Sequence, residues 1–304
     1  MLQNKNGKRS ISLAGRLFMA SCIFLMGSII YAHYAEPKPQ DLVYAASEPQ
    51  IASVESAQPA VPATPAVTPP VGENTAQYNQ ELNGLISQWV QSQPSTNQWG
   101  VAVKGLGNSG IEAGYAGDTT YEAASIFKLY LVYALSQKIP EEQWSTTKVE
   151  GERTLSECVK AMLERSDNAC GIAVGDKLGW GRSQQVTKAA GYTHTNLNGL
   201  PITTTPNDTL KFLEDLYDGT TFTPQLKDEI LGDMRNSIFK QGIVAGCAGC
   251  VVANKTGANN GYQHDVAVVG VDGKVFALSI FSKGGTFKQT AALTTLIQQY
   301  IRSH

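Results

Sequence analysis

Beyond about residue 78 the apolar positions follow two periods, one helical and one strand-like. In "YNQELNGLISQWVQSQ", Leu82, Leu85, Ile86, Trp89 and Val90 fall on one helical stripe. "QWGVAVKGL" then reads as a strand. Near the other end, "HDVAVVGVDGKVFALSIFSK" is two apolar, β-branched runs joined at Asp272-Gly273, a dipeptide suited to a tight hairpin turn. Residues 286–302 return to helical spacing, with Leu293, Leu296, Ile297, Tyr300 and Ile301 on the apolar side. Strands at both ends and helical patterns between them predict an α+β fold. One antiparallel sheet is assembled from both ends of the domain, flanked by terminal helices, with an all-helical lobe inserted. No internal repeat is found.

The run "ASIFKLYLVY", residues 123–132, breaks the simple pattern. As a helix over residues 125–139 it places Ile126, Leu129, Tyr130, Tyr133 and Ala134 at three- and four-residue spacings, and Leu131, Val132 and Leu135 fill the other faces. A helix apolar all round is a buried one. Within it Ser125 and Lys128 stand at i and i+3, which brings an amine beside a hydroxyl on one face. That is a nucleophile next to a base. Taken alone, the tetrapeptide is better read as a lysine snorkelling its charge to solvent from a helix end.

The chain ahead of residue 78 has a different character. The first 35 residues carry +4 and the remainder −6 of a net −2, and residues 17–32, "LFMASCIFLMGSIIYA", are uncharged. A basic flank followed by an apolar run reads as an export signal or a membrane anchor over residues 1–35. The run lies between a signal core and the ~20 residues that span hydrocarbon, which leaves cleavage open. Ile30-Tyr31-Ala32 is a poor cleavage site and favours retention of residues 17–34 as an anchor. Residues 36–77 hold eight of the thirteen prolines, in phrases such as "QPAVPATPAVTPP". Such sequence is a solvated, semi-rigid spacer of roughly 3 Å per residue. The folded domain is therefore expected over residues 78–304, and 42% hydrophobic content suffices for its core. The expected setting is extracytoplasmic, with the domain held off a membrane, monomeric, and without a nucleic-acid partner.

Cys22 belongs to the apolar run, which leaves four cysteines for the domain. In an exported chain, Cys158 with Cys170 and Cys247 with Cys250 are the natural disulfide pairs, although connectivity is not decided by sequence. A metal site at Cys247-Ala-Gly-Cys250 lacks a second cysteine pair or histidine cluster to complete four ligands, so no metal and no cofactor are expected.

Two more short stretches bear on Lys128. After "TLSECVKAMLER", opened by a Thr154-x-x-Glu157 capping box, comes Ser166-Asp167-Asn168. By itself this tripeptide is a good helix stop and restart, with Asp and Asn suited to caps. Farther on, "VVANKTGANNG" holds Lys255-Thr256-Gly257 at the end of a β-branched run, where a strand could simply be entering a turn. In the order S-x-x-K, S-D-N, K-T-G, on helix, inter-helix loop and strand, the three resemble the motif set of class A β-lactamases and penicillin-binding proteins. The resemblance covers residues 78–304 and implies a five-stranded sheet.

The resemblance also implies roles. Ser125 attacks the carbonyl of a β-lactam or a D-alanyl wall peptide and Lys128 takes its proton, the lysine's basicity being tuned by burial and by Lys255. Ser166 relays the proton to the leaving nitrogen while Lys255 holds its hydroxyl. The N–H groups of Ser125 and Ala258 form the oxyanion hole. Asn168 binds the substrate amide, Thr256 its carboxylate, and Gly257 lets substrate approach.

Three departures accompany these matches. The glutamate that activates water for deacylation in class A enzymes is missing, since residues 193–207, "THTNLNGLPITTTPN", contain no carboxylate. Asp208 is better placed as the third residue of a helix capped by Thr205 and begun by Pro206. The interval from Ser166 to Lys255 is about fifteen residues short for the class, as if the loop were deleted, and that from Ser125 to Ser166 is short as well. Seven residues after Gly257, where many class A enzymes place an arginine for the substrate carboxylate, stands His264, which would bind a carboxylate when protonated or serve as an ordinary strand-start residue. Two functions follow: a serine acyl-transferring hydrolase with slow β-lactam deacylation, or a penicillin- or wall-binding sensory module that does not turn over.

Overall fold

The computed structural model describes residues 73–107, 109–219 and 221–304. The expected export segment and nearly all of the proline-rich spacer lie outside the described residues. Helix α1 (Glu73–Gln91) begins five residues before the expected domain start and leads into β1 (Gln98–Gly105) and β2 (Glu112–Tyr115). At the other end stand β7 (Val251–Asn259), β8 (Tyr262–Val271), β9 (Lys274–Lys283) and α9 (Phe287–Ser303), with the short helix α8 (Ile243–Gly246) ahead of β7. The five strands form one antiparallel sheet in the order β2-β1-β9-β8-β7, as the two-ended pattern predicted. Asp272 and Gly273 both take positive φ, +49° and +76°, which matches the right-handed twist of the strands they join.

Each face of the sheet has its own core. Val101, Val103, Ala267, Val269, Leu278 and Ile280 pack on α1 and α9, where Leu82, Ile86, Leu293, Ile297 and Ile301 are buried. The alternating positions Ala102, Val266, Val268, Ala277 and Phe281 face the helical lobe. A sheet buried on both faces explains why β8 and β9 read as continuous apolar runs. Leu296, assigned to the apolar stripe of α9, is 37% exposed, because only one face of a terminal helix meets the sheet.

The lobe comprises α2 (Phe127–Ser136), α3 (Leu155–Glu164), α4 (Asn168–Leu178), α5 (Trp180–Ala189), α6 (Pro206–Asp218) and α7 (Pro224–Arg235), with small ribbons β3 (Tyr121–Glu122) with β6 (Thr203–Thr204) and β4 (Lys148–Glu150) with β5 (Arg153–Thr154). Thr154 and Glu157 form the expected capping box, and Thr205 caps α6 through the Asp208 N–H. Disulfides join Cys158 to Cys170 and Cys247 to Cys250. The helix expected over residues 125–139 differs at both ends: Ser125 lies in a 3-10 turn (Ala124–Ile126), and α2 stops at Ser136. All its residues from 128 to 135 are buried, as the all-round apolar pattern required.

Candidate active site

Ser125 reaches the cleft from the 3-10 turn, next to Ala124, whose φ of +44° is in the left-handed region. Ser166, in the loop between α3 and α4, has φ +58°. Such conformations cost on the order of 1–3 kcal/mol each for a residue with a Cβ and persist where surrounding contacts dictate them. Around Ser166 the contacts are plain. Asp167 caps α4 by accepting from the Cys170 N–H at 2.9 Å and pairs with Arg153 at 2.9 Å. The Cys158–Cys170 bridge ties α3 to α4 across the same loop. The cap reading of Asp167 thus holds together with the close approach of its neighbours to Lys128.

Lys128 is fully buried and is held from three sides. Its Nζ lies 2.9 Å from Ser125 Oγ, 2.7 Å from the Ser166 carbonyl oxygen, 2.7 Å from Asn168 Oδ1 and 3.3 Å from Ser166 Oγ. The carbonyl of Ser166 and the amide oxygen of Asn168 can only accept. They take two N–H groups of the amine and leave its third direction for Ser125 Oγ. Burial pushes the Lys128 amine down to about 8, against the opposing charge of Asp167. Gly171 on α4 makes room for it, since a Cβ there would stand 3.0 Å from Lys128 Cε.

Lys255 projects from β7, also fully buried, and donates to Ser166 Oγ at 2.9 Å and to the Thr256 carbonyl at 2.6 Å. Burial and then the charge of Lys128 hold its amine well below the usual lysine range, with Asp265 opposing. Asp265 and Asn254 were not singled out by the sequence reading. The carboxyl of Asp265 is buried behind β7, accepts from Asn254 Nδ2 at 3.0 Å and from the Ile243 N–H at 2.7 Å, and is pushed up to about 7 by burial.

Gly257 permits a close approach of strand to turn. A Cβ there would stand 3.1 Å from the Ala123 carbonyl oxygen and 3.2 Å from the Ser125 nitrogen, so β7 lies against the backbone that carries the nucleophile. Ser125 and Ala258, expected to supply the oxyanion hole, both line the resulting cleft of about 380 Å³, as does Asn168. Thr256 is nearly buried, at 5% exposure, on the opposite face of β7 from Lys255 and Gly257, and pairs in register with Asp265.

His264 does not sit where a substrate carboxylate could reach it, which corrects the sequence expectation. It is fully buried, stacked on Phe281 with ring centroids 4.0 Å apart. Its Nε2 is 2.8 Å from the Glu122 carbonyl oxygen, and Nδ1 accepts from the Ser282 N–H at 3.3 Å. Those two partners suit one neutral tautomer, with Nε2 donating. Burial lowers the imidazole to about 4. Its structural work is to fasten β3, and so the start of the Ser125 turn, to the sheet.

The cleft rim was not legible beforehand. The interval read as a deleted loop retains a wall: Leu200, Pro201 and Ile202 line the cleft, Leu200 is fully exposed, and the Ile202 carbonyl accepts from the Ala123 N–H at 2.9 Å. Glu122, Ala124, Phe127 and Asn259 complete it. Asp208 turns away, accepting from the His194 N–H and the Thr195 hydroxyl at 2.9 and 2.7 Å. Among the described residues no cluster of three or more His, Cys, Asp or Glu is arranged to hold a metal ion.

A fold in which Lys128 bonds the S-x-x-K serine and Lys255 the serine of the S-D-N loop defines a class, the penicillin-recognising serine hydrolases of the β-lactamase and penicillin-binding-protein kind. Residues 79–301 match the beta-lactamase enzyme family, and the chain belongs to it. Among solved structures it is similar to PBP-A, with 21% identity, a TM-score of 0.66, and coverage of 74% of this chain and 97% of that one. A substituted PBP-A, as an acyl-enzyme complex with penicillin G, matches at 20% identity and a TM-score of 0.65, covering 75% and 97% of the two chains. A class A β-lactamase representative from Bacteroides cellulosilyticus matches at 17% identity and a TM-score of 0.62, covering 75% and 99%. These identities establish a shared fold. No curated protein matches the chain.

Proposed function

We propose that the domain is an active acyl-transferring hydrolase that forms an ester at Ser125 with β-lactams or D-alanyl peptides. The observation that carries this reading is the hydrogen-bonded line Ser125 Oγ, Lys128 Nζ, Ser166 Oγ, Lys255 Nζ, with contacts of 2.9, 3.3 and 2.9 Å. An amine lowered to about 8 leaves about a tenth of Lys128 neutral at pH 7, and the neutral form turns its lone pair to the Ser125 hydroxyl. Lys128 takes the hydroxyl proton as Ser125 Oγ attacks the carbonyl carbon. The N–H groups of Ser125 and Ala258 stabilise the oxyanion; one such donor typically contributes about a hundredfold or more in rate. The proton returns through Ser166 Oγ, held by Lys255, to the departing nitrogen. With His264 neutral and buried, the imidazole supplies no charge for the substrate carboxylate.

The apolar run at residues 17–32, its basic flank and the proline-rich spacer support placing this domain outside the cytoplasm, tethered near the wall peptides it would act on. The second reading, a sensor that acylates without turnover, rests on one observation: the loop facing the cleft presents Leu200 and no carboxylate. Fluorescent penicillin followed by intact mass over time tests both. An adduct on Ser125 that is lost in Ser125→Ala is expected, and labelling unchanged in that variant refutes the assignment. Release of D-alanine from a D-alanyl peptide distinguishes the hydrolase from the sensor.

A further inference from the structure

We propose that Glu122 makes this cleft select acyl donors that carry an ammonium group on the acyl side chain. The inference rests on acylation at Ser125 and adds the substrate's charge to that reading. Glu122 is the only ionisable side chain among the residues lining the cleft. Its carboxylate is fixed in place by amides: Asn259 Nδ2 donates to Oε1 at 2.6 Å, and Asn260 Nδ2 is 3.3 and 3.4 Å from the two oxygens. Amides orient a carboxylate without cancelling its charge, and two carboxylate oxygens offer about four acceptor positions. Among the described residues no ion pair includes Glu122. Lys283, across the sheet from Tyr262, lies over the Tyr262 ring at 5.2 Å.

The direction of β7 places this carboxylate at the acyl end of the substrate. Lys255, which holds Ser166 Oγ at the leaving-group end, lies four residues before Asn259, about 13 Å of strand at ~3.3 Å per residue. Ala258 stands between them at the oxyanion position. A substrate bound along β7 with its carbonyl at Ser125 therefore directs its acyl side chain towards Asn259 and Glu122. Leu200, Pro201 and Ile202 offer an apolar wall beside them. Glu122 is also held by its backbone, with β3 paired to β6 and its carbonyl accepting from His264, so the charge does not swing with the loop.

The test uses three penicillins that differ at one carbon: benzylpenicillin, aminobenzylpenicillin and carboxybenzylpenicillin, which are neutral, cationic and anionic in the side chain. Second-order acylation rates are read by intact mass at pH 6 and low salt, where an α-amino group is protonated. The ammonium compound is expected to acylate fastest and the carboxylate slowest, each step being about two- to fivefold, as for a partly exposed charge pair. Added salt should compress the spread. Glu122→Gln, which keeps an acceptor for Asn259 and removes the charge, should collapse it. Equal rates for the three on the natural protein, or an undiminished spread in Glu122→Gln, overturn the assignment of Glu122 alone. Absence of any adduct with all three overturns acylation at Ser125 and this inference with it.

Discussion

The floor of the cleft and its rim are built on opposite terms. On the floor, Lys128 and Lys255 are fully buried amines, each on several oxygen acceptors, with two residues of positive φ, Ala124 and Ser166, beside them. At the rim, a fully exposed leucine, a proline and an isoleucine face the same space, and the carboxylate present, Glu122, is bound by asparagine amides. Making an acyl-enzyme needs the floor; hydrolysing it needs a base for water from the rim. In the proposed reading, acylation draws on the buried floor, whereas activating water would fall to a rim whose segment anchors itself through buried Leu197 and Thr204 and turns an exposed Leu200 to the cleft.

Removing Lys128 should separate floor from rim most sharply. Lys128→Ala is expected to slow acylation by about 10²–10⁴-fold, the usual weight of a general base. Second-order labelling rates check this, and a loss below tenfold would move the base elsewhere. Next in size is the lifetime of the penicillin ester. With no base placed on water, deacylation should trail that of a turning-over enzyme by about a thousandfold, which corresponds to ~4 kcal/mol of transition-state stabilisation. Mass spectra should show the adduct persisting while a chromogenic cephalosporin is barely consumed. Rapid return to the free mass would break the comparison and point to Glu122, the carboxylate at the rim.

A smaller effect is the pH profile. The reactive form of Lys128 is the neutral amine, and its folded value is lowered to about 8 by burial. Acylation should therefore rise about tenfold per pH unit below that value and level off above it. His264, lowered to about 4 and enclosed, should contribute no inflection between pH 5 and 8. A fall in acylation as pH rises through 6–7 would return His264 to the site.

The share of this site that was legible in sequence follows from the range of the interactions. Ser125 and Lys128 are three residues apart, so one turn of chain brings them together whatever surrounds it. Asp272-Gly273, the Thr154 capping box and the Thr205 cap were readable for the same reason, their hydrogen bonds being closed within four residues. Ser166 and Lys255 were recognised only through the resemblance, since 38 and 127 residues separate them from Lys128. Sequence could not choose between the two readings of His264, carboxylate binder or ordinary strand residue, because the choice depends on strand register: it lies opposite Gly257, facing inward beneath the Glu122 carbonyl, where burial keeps it neutral.

By itself, the sequence determined the two-ended sheet, the buried all-apolar helix, the caps, the hairpin and the absence of a carboxylate from residues 193–207. All are consequences of local period and local chemistry. Only the folded chain shows that His264 is a neutral fastener and that Leu200 and Glu122 share the cleft wall with Ser125. Those outcomes depend on desolvation and on contacts between distant segments, and neither is encoded at any one position of the chain.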